Sequence, residues 1–154
     1  MTSGTKGNLR MSSSKFDIVV YGATGFTGQL VAEYLAAHYT GDATLKWAMA
    51  GRSKDKLASV RDAIGAPADT PLIVADASDP ASLKAMVDQT KSVISTVGPY
   101  QLYGSDLVAA CAASGTDYFD LCGEPVWMPR MTAAPAAAAT SSGPPLVLSR
   151  GFAP

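Results

Sequence analysis

The sequence predicts an α/β protein with a doubly wound parallel sheet, the Rossmann architecture. Three observations predict it. Short runs rich in β-branched and aromatic residues alternate five times with segments that carry a helical apolar stripe. The first such run leads directly into Gly22-Ala23-Thr24-Gly25-Phe26-Thr27-Gly28, and that turn leads directly into a helical stretch. The chain has 154 residues, 47% hydrophobic and only 16% charged, which suits one buried core and argues against disorder or a coiled coil.

Each element has a local reason. Phe16 to Tyr21 reads as a buried strand. The helix after the glycines runs over Gln29 to Ala37, with Leu30, Val31, Tyr34 and Leu35 as its apolar stripe. Leu45 to Ala50 is the second strand, ended by Gly51-Arg52-Ser53. Ser53 suits a helix N-cap, Leu57, Val60 and Ile64 share one helical face, and Gly65 suits the stop. Pro71 to Ala75 is the third strand. Asp79-Pro80 opens the next helix, with Asp as cap and Pro at the first helical position, and its inner face is Leu83, Met86 and Val87. Ser92 to Val97 is the fourth strand, stopped by Gly98-Pro99. A helix from Ser105 to Ser114 turns Leu107, Val108, Ala110 and Cys111 inward and ends at Gly115, and Asp117 to Leu121 is the fifth strand. Right-handed crossovers then give the strand order 3-2-1-4-5, with a sixth strand at Leu146 to Ser149.

Outside these elements the chain is less specified. Residues 1–14 are polar and read as a disordered leader without the apolar run of a signal peptide. Residues 15–125 form the expected cofactor domain. Residues 126–154 are an alanine- and proline-rich extension, in which Pro129 and Pro135 interrupt any helix. No stretch approaches the ~20 apolar residues of a membrane span. A formal net charge of −1 leaves no basic footprint for nucleic acid. Cys111 and Cys122 lack the spacing of a zinc site and read as buried thiols in a reducing compartment, so an intracellular, cytoplasmic protein is expected, with no metal.

The glycine pattern carries the functional expectation. The first glycine permits the tight turn, the second lets a pyrophosphate approach the backbone, and the third lets the helix pack close to the sheet. Backbone N–H groups from Gly22 to Gly28, Thr24, Phe26 and Thr27 among them, then face the phosphates of a dinucleotide at a helix N-terminus. The end of the second strand lacks the Asp or Glu that binds a ribose 2′-hydroxyl. Arg52 stands there instead, with Ser53 beside it and Lys54 and Lys56 behind. A guanidinium pairs with a 2′-phosphate in two-point geometry, so NADP(H) is favoured over NAD(H). Asp76, at the end of the third strand, reads either as the acceptor for an adenine amino group or as a turn former. Gly98, Pro99 and Tyr100 end the fourth strand beside the point where strand order reverses. Tyr100 and Tyr103 read either as walls of that crevice or as core aromatics.

The acid and base of a reaction are less visible. There is no Tyr-x-x-x-Lys pair. His38, the only histidine, lies at the end of the first helix, where an imidazolium complements the dipole. Glu124 reads either as a carboxylate near the crevice or as a charged loop residue. Catalytic residues stay unassigned.

Four segments together resemble the saccharopine dehydrogenase-like oxidoreductase family: Phe16 to Gly28, Trp47 to Ser53, Val97-Gly98-Pro99-Tyr100 with Tyr103-Gly104, and Tyr118 to Glu124. That family includes mycobacterial trans-acting enoyl reductases and lipid-droplet-associated animal proteins, and the resemblance covers about residues 16–125. It implies an NAD(P)-dependent oxidoreductase with an N-terminal Rossmann cofactor domain. It also implies a larger second domain for substrate contacts and dimerisation, and a link to lipid metabolism. Membrane-peripheral, lipid-droplet or mitochondrial association would follow from the same resemblance. Ser149 to Pro154 departs from the family's Ser-Cys-Gly-Phe-Asp-Ser, with Arg150, Ala153 and Pro154 at the differing positions. With no second domain in the sequence, the chain reads as truncated, and a homodimer is expected only where that domain is present.

The leading expectation is therefore an NADP(H)-binding domain whose complete relatives reduce a lipid-like substrate by hydride transfer. The alternative is a non-catalytic NADP(H)-sensing module. A non-functional truncation product is the third reading.

Overall fold

The computed structural model describes residues 14–41, 44–121 and 146–147. In chain order the elements are β1 (Phe16–Tyr21), α1 (Phe26–Tyr39), β2 (Trp47–Gly51), α2 (Lys54–Ala63), β3 (Leu72–Val74), α3 (Pro80–Val87), β4 (Thr90–Ser95), α4 (Tyr100–Tyr103), α5 (Ser105–Ser114), β5 (Asp117–Asp120) and β6 (Leu146–Val147). One sheet runs in the order β3-β2-β1-β4-β5-β6, and all of its pairs are parallel. The expected Rossmann order is therefore present. A sixth strand pairs Leu146 and Val147 with Tyr118 and Phe119.

β1 is the central strand, and Val19, Val20 and Tyr21 are buried because helices cover both faces of a parallel sheet. The alternation of side chains along β1 divides the core in two. Val19 and Tyr21 join Leu83, Met86, Val87, Leu107, Val108 and Cys111 from α3 and α5. Val20 joins Ala32, Leu35, Trp47, Met49 and Leu57 on the side of α1 and α2.

Local signals set the helix ends. Ser53 caps α2 by accepting from the Lys56 N–H, and Asp79 caps α3 by accepting from Ala81 and Ser82, with Pro80 in the first turn. Gly115 closes α5 in the left-handed conformation, at φ 72°. Leu83, Met86 and Val87 are buried on α3 as the pattern predicts.

Some expectations need correction. α1 buries Gly28, Ala32, Leu35 and Ala36, whereas Leu30 and Tyr34 are 50% and 55% exposed. The helix lies on the sheet through small residues, which brings its backbone close and rotates the larger side chains outward. β2 starts at Trp47 rather than Leu45, and β4 runs from Thr90 to Ser95 rather than Ser92 to Val97. Pairing sets these limits, since Phe16 draws Thr90 into register and Tyr21 ends opposite Ser95. The short α4 was not expected. Leu102 and Tyr103 close it by donating to the Pro99 carbonyl, and one turn is too brief to show a period.

Candidate dinucleotide site

The site lies at the carboxyl ends of the strands, where strand order reverses between β1 and β4. An open crevice of about 420 Å³ crosses four strand ends. Asp76, Ala77 and Ser78 line it after β3, Gly51 and Arg52 at β2, Tyr21, Gly22, Thr24 and Gly25 at β1, and Thr96, Val97 and Gly98 after β4. Tyr103 of α4 completes the lining.

The glycine turn is built from the sheet upward. Gly22 and Ala23 donate to the Ala50 carbonyl of β2, and Gly25 donates back to Gly22. Thr96 ties the turn to β4, its N–H and hydroxyl donating to the Tyr21 carbonyl at 3.0 Å each. Gly22 has φ +88°, and a Cβ there would lie 2.7 Å from the Thr96 hydroxyl oxygen and a Val97 methyl. At Gly28 a Cβ would lie 2.0 Å from the Gly22 carbonyl oxygen. Both glycines are demanded by the chain itself. Gly25 differs. The nearest atom to a Cβ there is 3.4 Å away, an ordinary contact, and the residue is exposed at the crevice. A methyl at Gly25 would fit without disturbing the fold. That geometry fits a phosphate group seated against the turn.

Charge is concentrated at the β2–β3 end. Arg52 is exposed on the crevice wall. The Asp76 carboxylate accepts from the Ser78 N–H at 2.9 Å and the Ser78 hydroxyl at 2.8 Å. These two bonds, with the nearby Arg52 guanidinium as a smaller influence, hold its carboxyl below the usual carboxylate range. Asp76 is thus a turn former whose side chain also lines the crevice.

The crevice brings together Gly22, Thr24, Gly25, Arg52, Asp76 and Gly98 from the sequence-predicted set, with Tyr103. The others stand beside it. Phe26 opens α1 and is 82% exposed, and Thr27 is half-buried in the same turn. Gly28 is buried under the turn, where it packs rather than lines. The Ser53 hydroxyl is engaged in capping α2. Pro99 is exposed and follows Gly98 through a cis peptide. Tyr100 begins α4, and its side chain lies outside the described residues, as do Glu124 and Cys122. His38 stacks on Tyr34 along the exposed side of α1, away from the crevice lining. Sequence reasoning missed Tyr21, Ala77, Ser78, Thr96 and Val97. Their signal was adjacency to strand ends already identified.

No helix among the described residues is long and apolar enough to cross a membrane. In solved structures the arrangement has clear counterparts. Saccharopine dehydrogenase (L-Glu forming) from Saccharomyces cerevisiae superposes with a TM-score of 0.67 at 20% identity, over 88% of this chain and 27% of that one. Triphenylmethane reductase from Citrobacter sp., solved in complex with NADP(H), gives 0.62 at 18% identity, over 86% and 48%. At these identities the likeness is one of fold. Sequence relatives are nearer. The trans-acting enoyl reductase of Mycobacterium leprae is 48% identical over 139 residues, 90% of this chain and 32% of the relative. An enoyl reductase-like protein of Mycobacterium tuberculosis is 56% identical over 115 residues, 74% of this chain and 27% of the relative. The chain thus spans about a third or less of the length of these relatives. The family model described as the saccharopine dehydrogenase NADP binding domain matches residues 18–147, which take in the glycine turn, Arg52, Asp76 and every strand from β2 to β6. A parallel sheet with a glycine cradle at its switch point, matched over most of its length, places this chain in the saccharopine dehydrogenase NADP-binding domain family.

Proposed function

We propose that the chain holds NADP(H) across the crevice and serves as the cofactor half of a reductase that transfers hydride to a lipid-like, apolar substrate. One observation carries the reading. The crevice is floored by a turn whose middle glycine is not required by the fold, and its β2 end presents Arg52 where an NAD site presents a carboxylate. When bound, the cofactor supplies the hydride, and the chain supplies binding and orientation.

In this reading Gly22 to Gly28 seat the pyrophosphate at the N-terminus of α1, with Thr24 and Gly25 nearest and Phe26 and Thr27 in the first turn. Arg52 grips the 2′-phosphate. Ser53 supports it by fixing the start of α2. Asp76 faces the adenine. Gly98, Pro99 and Tyr100 border the nicotinamide end, with Tyr103 as its wall. The cofactor domain comprises residues 15–125.

NADPH fluorescence titration tests this. The expected result is saturable binding, with NADPH preferred over NADH, and a preference that Arg52→Ala reduces about tenfold, which corresponds to ~1.4 kcal/mol. Absence of saturable binding at millimolar NADPH overturns the reading. Equal affinity for the two cofactors overturns the role of Arg52.

A further inference from the structure

Arg52 and Asp76 leave neighbouring strand ends side by side. Gly51 closes β2 opposite Val74 of β3, and the Ala75 N–H donates to the Gly51 carbonyl at 3.0 Å. Arg52 follows Gly51, and Asp76 follows Ala75. A guanidinium and a carboxylate therefore spring from adjacent strands, which in a sheet lie about 5 Å apart. Both line the crevice, and opposite charges so placed attract. Yet among the described residues no ion pair joins them.

The turn after β3 supplies the reason. Ser78, also in the crevice lining, donates twice to the Asp76 carboxylate, from its N–H at 2.9 Å and from its hydroxyl at 2.8 Å. Both bonds end on the same oxygen, Oδ1. The turn is itself fixed. The Asp76 N–H donates to the Ser82 hydroxyl at 3.0 Å, and the Asp79 N–H donates to the Asp76 carbonyl at 3.0 Å. The Ser82 hydroxyl donates in turn to the Asp79 carbonyl at 2.8 Å. Hydrogen bonds to a charged acceptor outweigh an exposed ion pair, which gains little against solvent. The carboxylate stays with Ser78, and Arg52 stays exposed. The influences that lower the Asp76 carboxyl fall in the same order, the two Ser78 bonds first and Arg52 last.

We propose that Ser78 is a specificity-determining positioning residue, its N–H and hydroxyl holding the Asp76 carboxylate to the turn so that Arg52 remains open for a 2′-phosphate. The inference deepens the NADP(H) reading above and rests on it. Without the hydroxyl, the N–H alone competes with the guanidinium. The carboxylate then moves to Arg52 and cancels the charge that separates NADPH from NADH.

Ser78→Ala removes the hydroxyl from an exposed position and leaves the N–H. Isothermal titration of the full chain with NADPH and with NADH gives the preference as a ratio of dissociation constants. The ratio is expected to fall about fivefold in Ser78→Ala, with NADPH losing affinity and NADH keeping it. A purely structural role for Ser78 would weaken both cofactors together. Asp76→Asn in the Ser78→Ala background removes the competing charge and is expected to restore the preference. A parallel melt identifies any loss of folded protein. An unchanged ratio in Ser78→Ala, equal weakening of both cofactors, or a lost preference that Asp76→Asn does not restore overturns the positioning role. If the wild-type chain binds no NADPH, or binds it no better than NADH, the reading above falls and the inference with it. A wild-type preference that Ser78→Ala leaves intact removes the inference alone.

Discussion

A methyl group at position 28 would sit 2.0 Å from the Gly22 carbonyl oxygen, and at position 25 its nearest neighbour would be 3.4 Å away. Two glycines three residues apart therefore answer to different constraints. Gly28→Ala forces the turn off α1 and is expected to cost about 2–3 kcal/mol, seen as a lower urea midpoint. Gly25→Ala should leave the midpoint almost unchanged and weaken NADPH binding in titration. An equal effect of both on stability would remove the argument for a ligand at Gly25. These two positions were legible because turn chemistry is local. Arg52 was legible for the same reason. Tyr21, Ala77 and Thr96 were not, because they line one crevice only after β3, β2, β1 and β4 are assembled into the sheet. Cys111 was rightly read as a buried thiol, and burial pushes it up to about 12, chiefly by desolvation. It should react with a thiol reagent only on unfolding, which a reaction time course in native buffer and in urea checks.

Elements were most legible where a punctuating residue sits at their ends. Ser53, the Asp79-Pro80 pair and Gly115 each act within one turn, and α2, α3 and α5 begin or end where these residues predict. The buried face of α1 was misread because hydrophobic patterning gives little weight to Gly28, Ala32 and Ala36, which do the packing. Asp79→Ala is expected to cost ~1 kcal/mol through the two N–H groups it leaves uncapped, measured by urea unfolding. At the opposite end of the sheet from the crevice, Asp17 ties three strands. Its carboxylate accepts from the Lys46 N–H before β2 at 2.9 Å and pairs with the Lys91 ammonium of β4 at 2.7 Å. Those bonds, the Lys46 N–H foremost, hold its carboxyl below the usual value. A carboxyl lowered on folding contributes stability above the unfolded value of about 3.9 and loses it as pH falls through the lower folded value. Asp17→Asn should therefore be less stable at pH 7 and show a shallower decline below about pH 4. Urea midpoints at pH 7, 4 and 3 check this, and parallel curves for the two proteins would exclude the effect.

At the scale of the whole molecule, the sheet order was predictable because short alternating elements and right-handed crossovers leave few topologies open. The crevice was predictable in place but not in shape, since its walls come from four strand ends far apart in sequence. Its location at the reversal has a further consequence. One wall belongs to the β1–β3 half of the sheet and the other to the β4 half, joined along β1. Neither half carries the whole crevice, so a cofactor held across it as proposed would recognise only chains in which both have docked. NADPH at a hundredfold its dissociation constant should stabilise the folded chain by ~2.7 kcal/mol and raise its melting temperature on the order of 10 °C. Limited proteolysis with and without NADPH would show the same coupling as protection extending past the crevice into α3 and α5. On the proposed reading, cofactor supply would double as quality control, the nucleotide pool setting how long an assembled chain outlasts one that has come apart along β1.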